Sequence, residues 1–526
     1  MDLSADIGTA LRDVLAREGV EASLIETHIS WVVLAGEWAY KIKKPVRYDF
    51  LDFSTPAKRR HFCEEEVRLN RRFAPGLYVG VVPVTRSAAG LTPGGRGEVV
   101  DYAVKMRRFP QEALLSEIAA AGDFADGMAD AIAAALAAAH REARRAPAGS
   151  RFGSPAEIAS WADENLGELA AHVTGEKRRE ALRRIDAWTR AAEDRLAVGF
   201  AARREEGFIR ECHGDLHLRN IAWLDDGPVF FDCIEFNESL RWIDVMSEVA
   251  FVVMDLEDRG LVAPARRFLD RYLAAGGDYG GLAVLRYYLV YRAMVRAKVA
   301  VLREEEGGLS REEDAALWRE YDTYLALARR FTGAGSPRLV VLHGLAGAGK
   351  STLAAALVEA AGAVRVRSDV ERKRLFGLGA GKPSGSPVEG GIYSAAANEA
   401  TYGRMAACAA AIVRAGWTAV ADATFLRRAD RERFRDLAGD LGVEMVLVDV
   451  TAPMEVLEDR VAAREAAGTG PSEAGVEVLR HQEEMREPLA GWELERRVGV
   501  DSTRPLDADA LARRAGCAGG PFALPG

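Results

Sequence analysis

"VVLHGLAGAGKST", residues 340–352, constrains the fold of this chain more than any other stretch. It satisfies G-x-x-x-x-G-K-[ST], with an apolar run before it and a helix-forming run after it, so a strand, a tight loop and a helix must follow one another here. The glycines let backbone N–H groups turn inward around phosphate oxygens, and the start of the next helix adds partial positive charge. The expected nucleotide cradle is Gly344, Gly347, Ala348 and Gly349, continued by Lys350, Ser351 and Thr352. In this pattern Lys350 neutralises the β- and γ-phosphates and Ser351 is a ligand to Mg²⁺.

At 526 residues the chain is too long for one core, and two or three domains are expected. "TGAGSP" (332–337), small and Pro-terminated, reads as a linker between domains at 1–331 and 338–526. Beyond it, "RLVVLHG", "TAVADAT" and "EMVLVDV" alternate with helical segments, which predicts an α/β fold with a mainly parallel sheet. The order before it differs. "ISWVVLAGEWAYKIKK" reads as two strands about Gly36, "TPAKRRHFCEEEVRLNRRF" as a helix, and "VGVVPVT" and "VVDYAVKMRRF" as further strands. Helices dominate from about 112 to 205 and again to about 331, an α+β order.

The net charge is −9, and 24 Lys and Arg against 26 Asp and Glu follow residue 337, a net of −2 that leaves −7 before it. Neither part carries the basic excess that a nucleic-acid backbone requires. The five cysteines are scattered without a CxxC pair, which predicts a reducing, cytoplasmic setting with neither disulfide framework nor zinc site. No run reaches the roughly 18 apolar residues of a membrane span, and the N-terminus lacks the pattern of a signal peptide.

Downstream of the phosphate loop, "VRSDVERKR" places Asp369 at a strand end and Arg372 on the first helical turn after it. An aspartate there can accept a hydroxyl proton while the arginine steadies a phosphate. Asp422 ends another strand, in the crevice where such sheets bind ligands. Arg460 and Arg464, four apart, share a helical face suited to a lid over transferring phosphates. Each pair alone also reads as surface charge or a helix cap. With "GLAGAGKST", "SDVERKRLFG", "ADATFLRRADR" and "RVAAR", residues 338 to about 490 resemble the small P-loop kinases grouped with polynucleotide kinase, zeta toxin and gluconate kinase. The resemblance implies that Asp369 and Arg372 address the acceptor hydroxyl, and that Arg460 and Arg464 act on the phosphates.

A second nucleotide-handling motif precedes the linker. "HGDLHLRN" (213–220) is followed by "IAWLDDGPVFFDC", two short strands joined at an Asp-Gly turn. Folding that hairpin about residue 226 brings Asn220 and Asp232 to one open end, where both can hold one or two Mg²⁺ ions. Asp215 lies on the incoming loop, facing an acceptor hydroxyl as a base. His213 reads as packing or orienting the loop, and His217 as either that or a substrate contact. Lys41 and Lys43, on one strand face, are the candidates for the phosphates, and Glu66 is the candidate partner among Glu64, Glu65 and Glu66. A solvated charge run is the alternative for these. The whole of 20–330 resembles the aminoglycoside phosphotransferase-like branch of the protein-kinase fold, whose HGDxHxxN pattern it matches. It departs from protein kinases in lacking a GxGxxG before the lysine strand.

The expectation is a kinase with two sites, using ATP or GTP with Mg²⁺ and transferring the γ-phosphate to hydroxyls of small molecules. Three alternatives stand beside it: a 5′-hydroxyl polynucleotide kinase in the C-terminal half, a half that only senses nucleotide, and an antibiotic kinase in the N-terminal half. The acceptors and the oligomeric state are not written in the sequence.

Overall fold

The strands Ser30–Ala35 and Trp38–Lys43 fold back on each other because Gly36 takes φ +57°, a turn conformation that side chains resist. Their register sets Lys41 opposite Val32 and Lys43 opposite Ser30. They join a six-stranded antiparallel sheet in the order Ala22–Glu26, Ser30–Ala35, Trp38–Lys43, Glu98–Arg107, Tyr78–Ser87, Gly90–Pro93. Helix Pro56–Asn70 starts sharply, with Pro56 at its first turn and the Thr55 hydroxyl accepting the Lys58 N–H at 3.3 Å. It buries Cys63, Glu66 and Val67; Cys63 and Val67 pack with Val104 and Met106 of the sheet.

The computed structural model describes residues 7–48, 51–88, 90–225, 227–305, 310–386, 390–467 and 473–522. The chain packs as two compact units, one of residues 1–157 with 201–255, the other of 158–200 with 256–526. The first holds the antiparallel sheet, the HGD loop and the hairpin of Ile221–Leu224 with Gly227–Phe230. Asp226, about which that hairpin was expected to fold, lies outside the described residues.

The second unit holds a five-stranded sheet, parallel throughout, in the order Val364–Arg367, Ala419–Asp422, Leu339–His343, Met445–Thr451, Arg497–Asp501. Strands between helical layers are buried on both faces, so all five residues of Leu339–His343 are buried. Helix Lys350–Ala361 drives Leu353 and Leu357 into a core with Val340, Leu342, Val420 and Val448. Helices Val262–Gly276, Leu282–Glu305 and Arg311–Phe331 belong to this unit too, and 332–337 lies inside it. Two domain types are therefore present, a kinase-like one with an antiparallel sheet and a P-loop one with a parallel sheet. No helix among the described residues is long and apolar enough to cross a membrane.

Candidate active sites

In the first unit the two strand lysines meet one glutamate. Lys41 Nζ lies 3.0 Å from Glu66 Oε1, and Lys43 Nζ 2.7 Å from Glu66 Oε2. Each has a second carboxylate: Lys41 pairs with Asp232 and Lys43 with Glu235. Burial opposes charge on Lys41, but Asp232 and Glu66 outweigh it and hold its pKa well above the ordinary lysine value. Burial likewise pushes Glu66 up, and the two lysines overcome it to hold the carboxyl below its ordinary range. Glu235 moves the other way, raised by burial despite Lys43.

The hairpin pairs one residue off a fold centred on residue 226: Leu224 pairs with Gly227 and Ile221 with Phe230, so Asn220 falls opposite Phe231, not Asp232. The Phe231 N–H donates to the Asn220 carbonyl at 3.1 Å, and Asp232 follows at the same end. Asn220 Nδ2 donates to the Asp215 carbonyl at 2.8 Å and to Asp215 Oδ2 at 3.1 Å, which turns its Oδ1 away from Asp215. His217 Nε2 lies 3.3 Å from the same Oδ2. Asp232 takes φ +66°, and its N–H donates to the Tyr78 hydroxyl oxygen at 3.1 Å. His213 is buried, with Nε2 donating to the Phe231 carbonyl at 2.8 Å, while burial lowers its pKa. It orients the loop. Gly214 has φ +92° and donates its N–H to Glu248 Oε1 at 2.7 Å. All six expected residues of this site thus share one region: Lys41, Lys43, Glu66, Asp215, Asn220 and Asp232.

In the second unit one cleft of about 1170 Å³ is lined by Gly347, Gly349, Lys350, Ser351 and Thr352, and also by Asp369, Arg372, Asp422, Arg460 and Arg464. Gly347 has φ +78°, and a Cβ there would sit 2.8 Å from the Leu457 carbonyl oxygen. Gly344 and Ala348 are not among the residues lining the cleft. The Gly344 N–H bonds the Thr424 carbonyl at 3.2 Å, and the Ala348 N–H the Leu345 carbonyl at 3.2 Å. Lys350 Nζ donates to the Gly344 and Leu345 carbonyls at 2.9 and 2.8 Å, and burial pushes its pKa down to about 8. The Ser351 hydroxyl donates to Asp422 Oδ2 at 2.8 Å.

Asp369 stands in the first turn of helix Ser368–Leu375. Arg372 of that helix donates to the Ile392 carbonyl at 2.8 Å and lies over the Tyr393 ring. Arg460 holds Ser502 Oγ and the Ser502 carbonyl, each at 2.9 Å, and Arg464 holds the Ala474 carbonyl at 2.7 Å. Asn220 with Asp232, and Ser351 with Asp422, offer only oxygen donors, the set that a hard divalent cation takes. The residues fit Mg²⁺.

Sequence reasoning missed Glu235, Gln482 and Ser502. Gln482 accepts the Ala346 N–H of the phosphate loop at 2.9 Å. Ser502 follows strand Arg497–Asp501, whose sequence "RVGVD" is too short and mixed to announce itself. Only the "DCIEF" run hinted at Glu235, as a second acid after Asp232.

A model of the phosphotransferase enzyme family matches residues 48–288, and a model of the AAA domain matches residues 339–489. Among solved structures, an amicoumacin kinase in complex with AMP-PNP and Ca²⁺ is 13% identical, covering 62% of this chain and 96% of its own, with a TM-score of 0.39. A gluconokinase from Sinorhizobium meliloti is 23% identical, covering 35% and 92%, with a TM-score of 0.25. An uncharacterized protein of Mycobacterium tuberculosis is 33% identical over 453 residues, 86% of this chain and 88% of that one, and one of Mycobacterium bovis matches equally. The chain therefore belongs to the family of these mycobacterial proteins, and it joins a phosphotransferase-family domain to a P-loop domain.

Proposed function

We propose that the chain is a bifunctional kinase in which domains 1–331 and 338–526, linked by 332–337, each transfer the γ-phosphate of ATP or GTP to a hydroxyl of a small molecule. One observation carries this reading: each unit brings together a lysine, an oxygen-donor pair and a further carboxylate that the donor pair does not need. Phosphoryl transfer asks for little more, because it rests on positioning and charge neutralisation.

In the first site Asp215 is the base that takes the acceptor proton, oriented by Asn220 and His217. Lys41 turns from Asp232 to the phosphates, and Glu66 holds it in place. Lys43, bracketed by Glu66 and Glu235, supports from beneath. In the second site the loop amides and Lys350 hold the β- and γ-phosphates, and Asp369 takes the proton. Arg372 binds the acceptor; its Nε is buried without an acceptor of its own. Arg460 and Arg464 draw onto the transferring group from the phosphate side. Asn220 and Asp232 in one site, and Ser351 and Asp422 in the other, would hold Mg²⁺, which would supply charge neutralisation. The free, buried cysteines suit the reducing cytoplasm.

The test is phosphorylation of a metabolite extract by the wild type, Asp215→Ala and Asp369→Ala. Each variant is expected to lose a distinct set of products by at least a hundredfold. A product set that neither substitution reduces would remove the proposal, and transfer only to 5′-hydroxyl oligonucleotides would replace its second half.

A further inference from the structure

Asp270, in helix Val262–Gly276, is a buried carboxylate that no step above uses; it is 3% exposed. Its Oδ1 accepts the backbone N–H of Arg365 at 3.0 Å, and its Oδ2 accepts Arg365 Nη2 at 3.0 Å. Arg365 is equally buried, in strand Val364–Arg367, and its Nη1 donates to the Ser351 carbonyl at 3.2 Å. Ser351 is the residue whose hydroxyl meets Asp422. A single guanidinium thus joins Asp270, on the helix, to the backbone of Ser351. Asp422 has a different guanidinium beside it, with Arg367 Nε 3.9 Å from its Oδ2.

A buried cation needs a counter-charge. With Asp270 in place, Arg365 is paired at two points and anchored to the start of the phosphate-loop helix. Without it, Arg365 is a buried cation that has lost its partner, and its hold on the Ser351 carbonyl goes with it. We infer that Asp270 is a positioning residue for the P-loop site: it fixes Arg365 on the Ser351 carbonyl and so holds the Ser351 hydroxyl where it meets Asp422. This rests on the reading of Ser351 and Asp422 as the oxygen donors of that site. The same helix makes contacts that serve as a control. Arg266 Nη1 donates to the Glu359 and Ala360 carbonyls, both at 2.8 Å, at the far end of the phosphate-loop helix.

The test uses the full chain carrying Lys41→Ala, which silences nucleotide binding in the first unit, and reads binding of a fluorescent non-hydrolysable ATP analogue against Mg²⁺ concentration. Lys350→Ala in this background must abolish binding; if it does not, the reading of the P-loop site itself fails. With that control met, Asp270→Asn is expected to raise the half-saturating Mg²⁺ about tenfold, the usual scale for partners behind metal ligands. Arg266→Ala is expected to lower the melting temperature without moving the Mg²⁺ requirement. Should Asp270→Asn lower only the melting temperature, as Arg266→Ala does, the inference is overturned. Where Asp270→Asn does not fold, Arg365→Gln decides: removing the group that holds the Ser351 carbonyl must raise the half-saturating Mg²⁺ about tenfold, and an unchanged or lowered value overturns the inference.

Discussion

Lys41 and Lys43 are chemically alike and two residues apart, yet their depths separate them. The Lys43 side chain is 1% exposed and enclosed by Glu66 and Glu235, while that of Lys41 is 11% exposed and reaches Asp232. Strand periodicity was enough to put both on one face, while Glu66 was only one candidate among three helix glutamates. It could not rank the two lysines, because the deciding partner, Glu235, is 192 residues away from Lys43. Lys350 shows the same limit in another form. The motif names it, but only the fold shows that burial holds its pKa at about 8, against an ordinary value of 10.5. Below pH 8 it is charged in folded and unfolded chains alike, and the folded chain bears the full cost of burying that charge. The cost fades as the pH rises from 8 towards 10.5, where the unfolded chain also loses the proton. Phosphates reverse the balance, since an anion beside the ammonium favours the charged form. Nucleotide binding to this site at pH 9 is therefore expected to take up close to one proton, and almost none from this lysine at pH 7. Calorimetry in buffers of different ionisation enthalpy measures it, and equal uptake at both pH values would count against the account.

At the scale of elements, the hairpin was legible in kind, because its turn residues answer a local demand, but its register was not: Leu224 pairs with Gly227, which sets Asn220 opposite Phe231 with Asp232 one residue beyond. The phosphate loop was legible for the same reason, that its glycines answer a local demand. Elements whose place is fixed by distant partners were not. Strand Arg497–Asp501 pairs in parallel with Met445–Thr451 and leads to Ser502, yet nothing in "RVGVD" foretells either. The HGD loop lies between these cases. Its sequence gives the residues, but its shape depends on helix Val245–Asp258, which supplies Glu248 to the Gly214 N–H. Gly214 also has no room for a side chain: a Cβ there would lie 2.7 Å from the Leu240 carbonyl oxygen, at a φ of +92°. Gly214→Ala must shift the loop that carries Asp215, at a cost of about 1–3 kcal/mol. The expected result is a lower unfolding midpoint and at least a tenfold loss of the Asp215-dependent products, with Asp369-dependent products retained. Unchanged Asp215-dependent transfer would show that the loop tolerates the shift.

For the whole molecule, composition marks "TGAGSP" as a place where the backbone turns, but it keeps no record of which surfaces pack together. Packing joins residues before that stretch to the P-loop part, within one unit. Arg365 finds its counter-charge in Asp270. The Arg404 guanidinium donates to the Gly277 carbonyl at 3.3 Å, and Tyr279, 2% exposed, lies with its hydroxyl 3.4 Å from the Arg365 carbonyl. Trp417, 1% exposed, is covered by the Arg286 guanidinium 5.1 Å from its ring centre, and Phe522 meets Phe331 at 5.0 Å between centres. A fragment of 338–526 keeps every motif of the P-loop site and loses all of these partners. Removing one member of a buried ion pair alone costs about 3–5 kcal/mol, a large share of the roughly 5–15 kcal/mol by which domains are stable. Aromatic surface uncovered around Trp417 adds to the loss and favours aggregation. A fragment of 256–526 keeps the partners. Urea unfolding of the two, followed by Trp417 fluorescence against a Trp417→Phe reference, is expected to give a markedly lower midpoint for 338–526, or no cooperative transition at all. Coincident transitions would mean that the P-loop part folds without the helices before it.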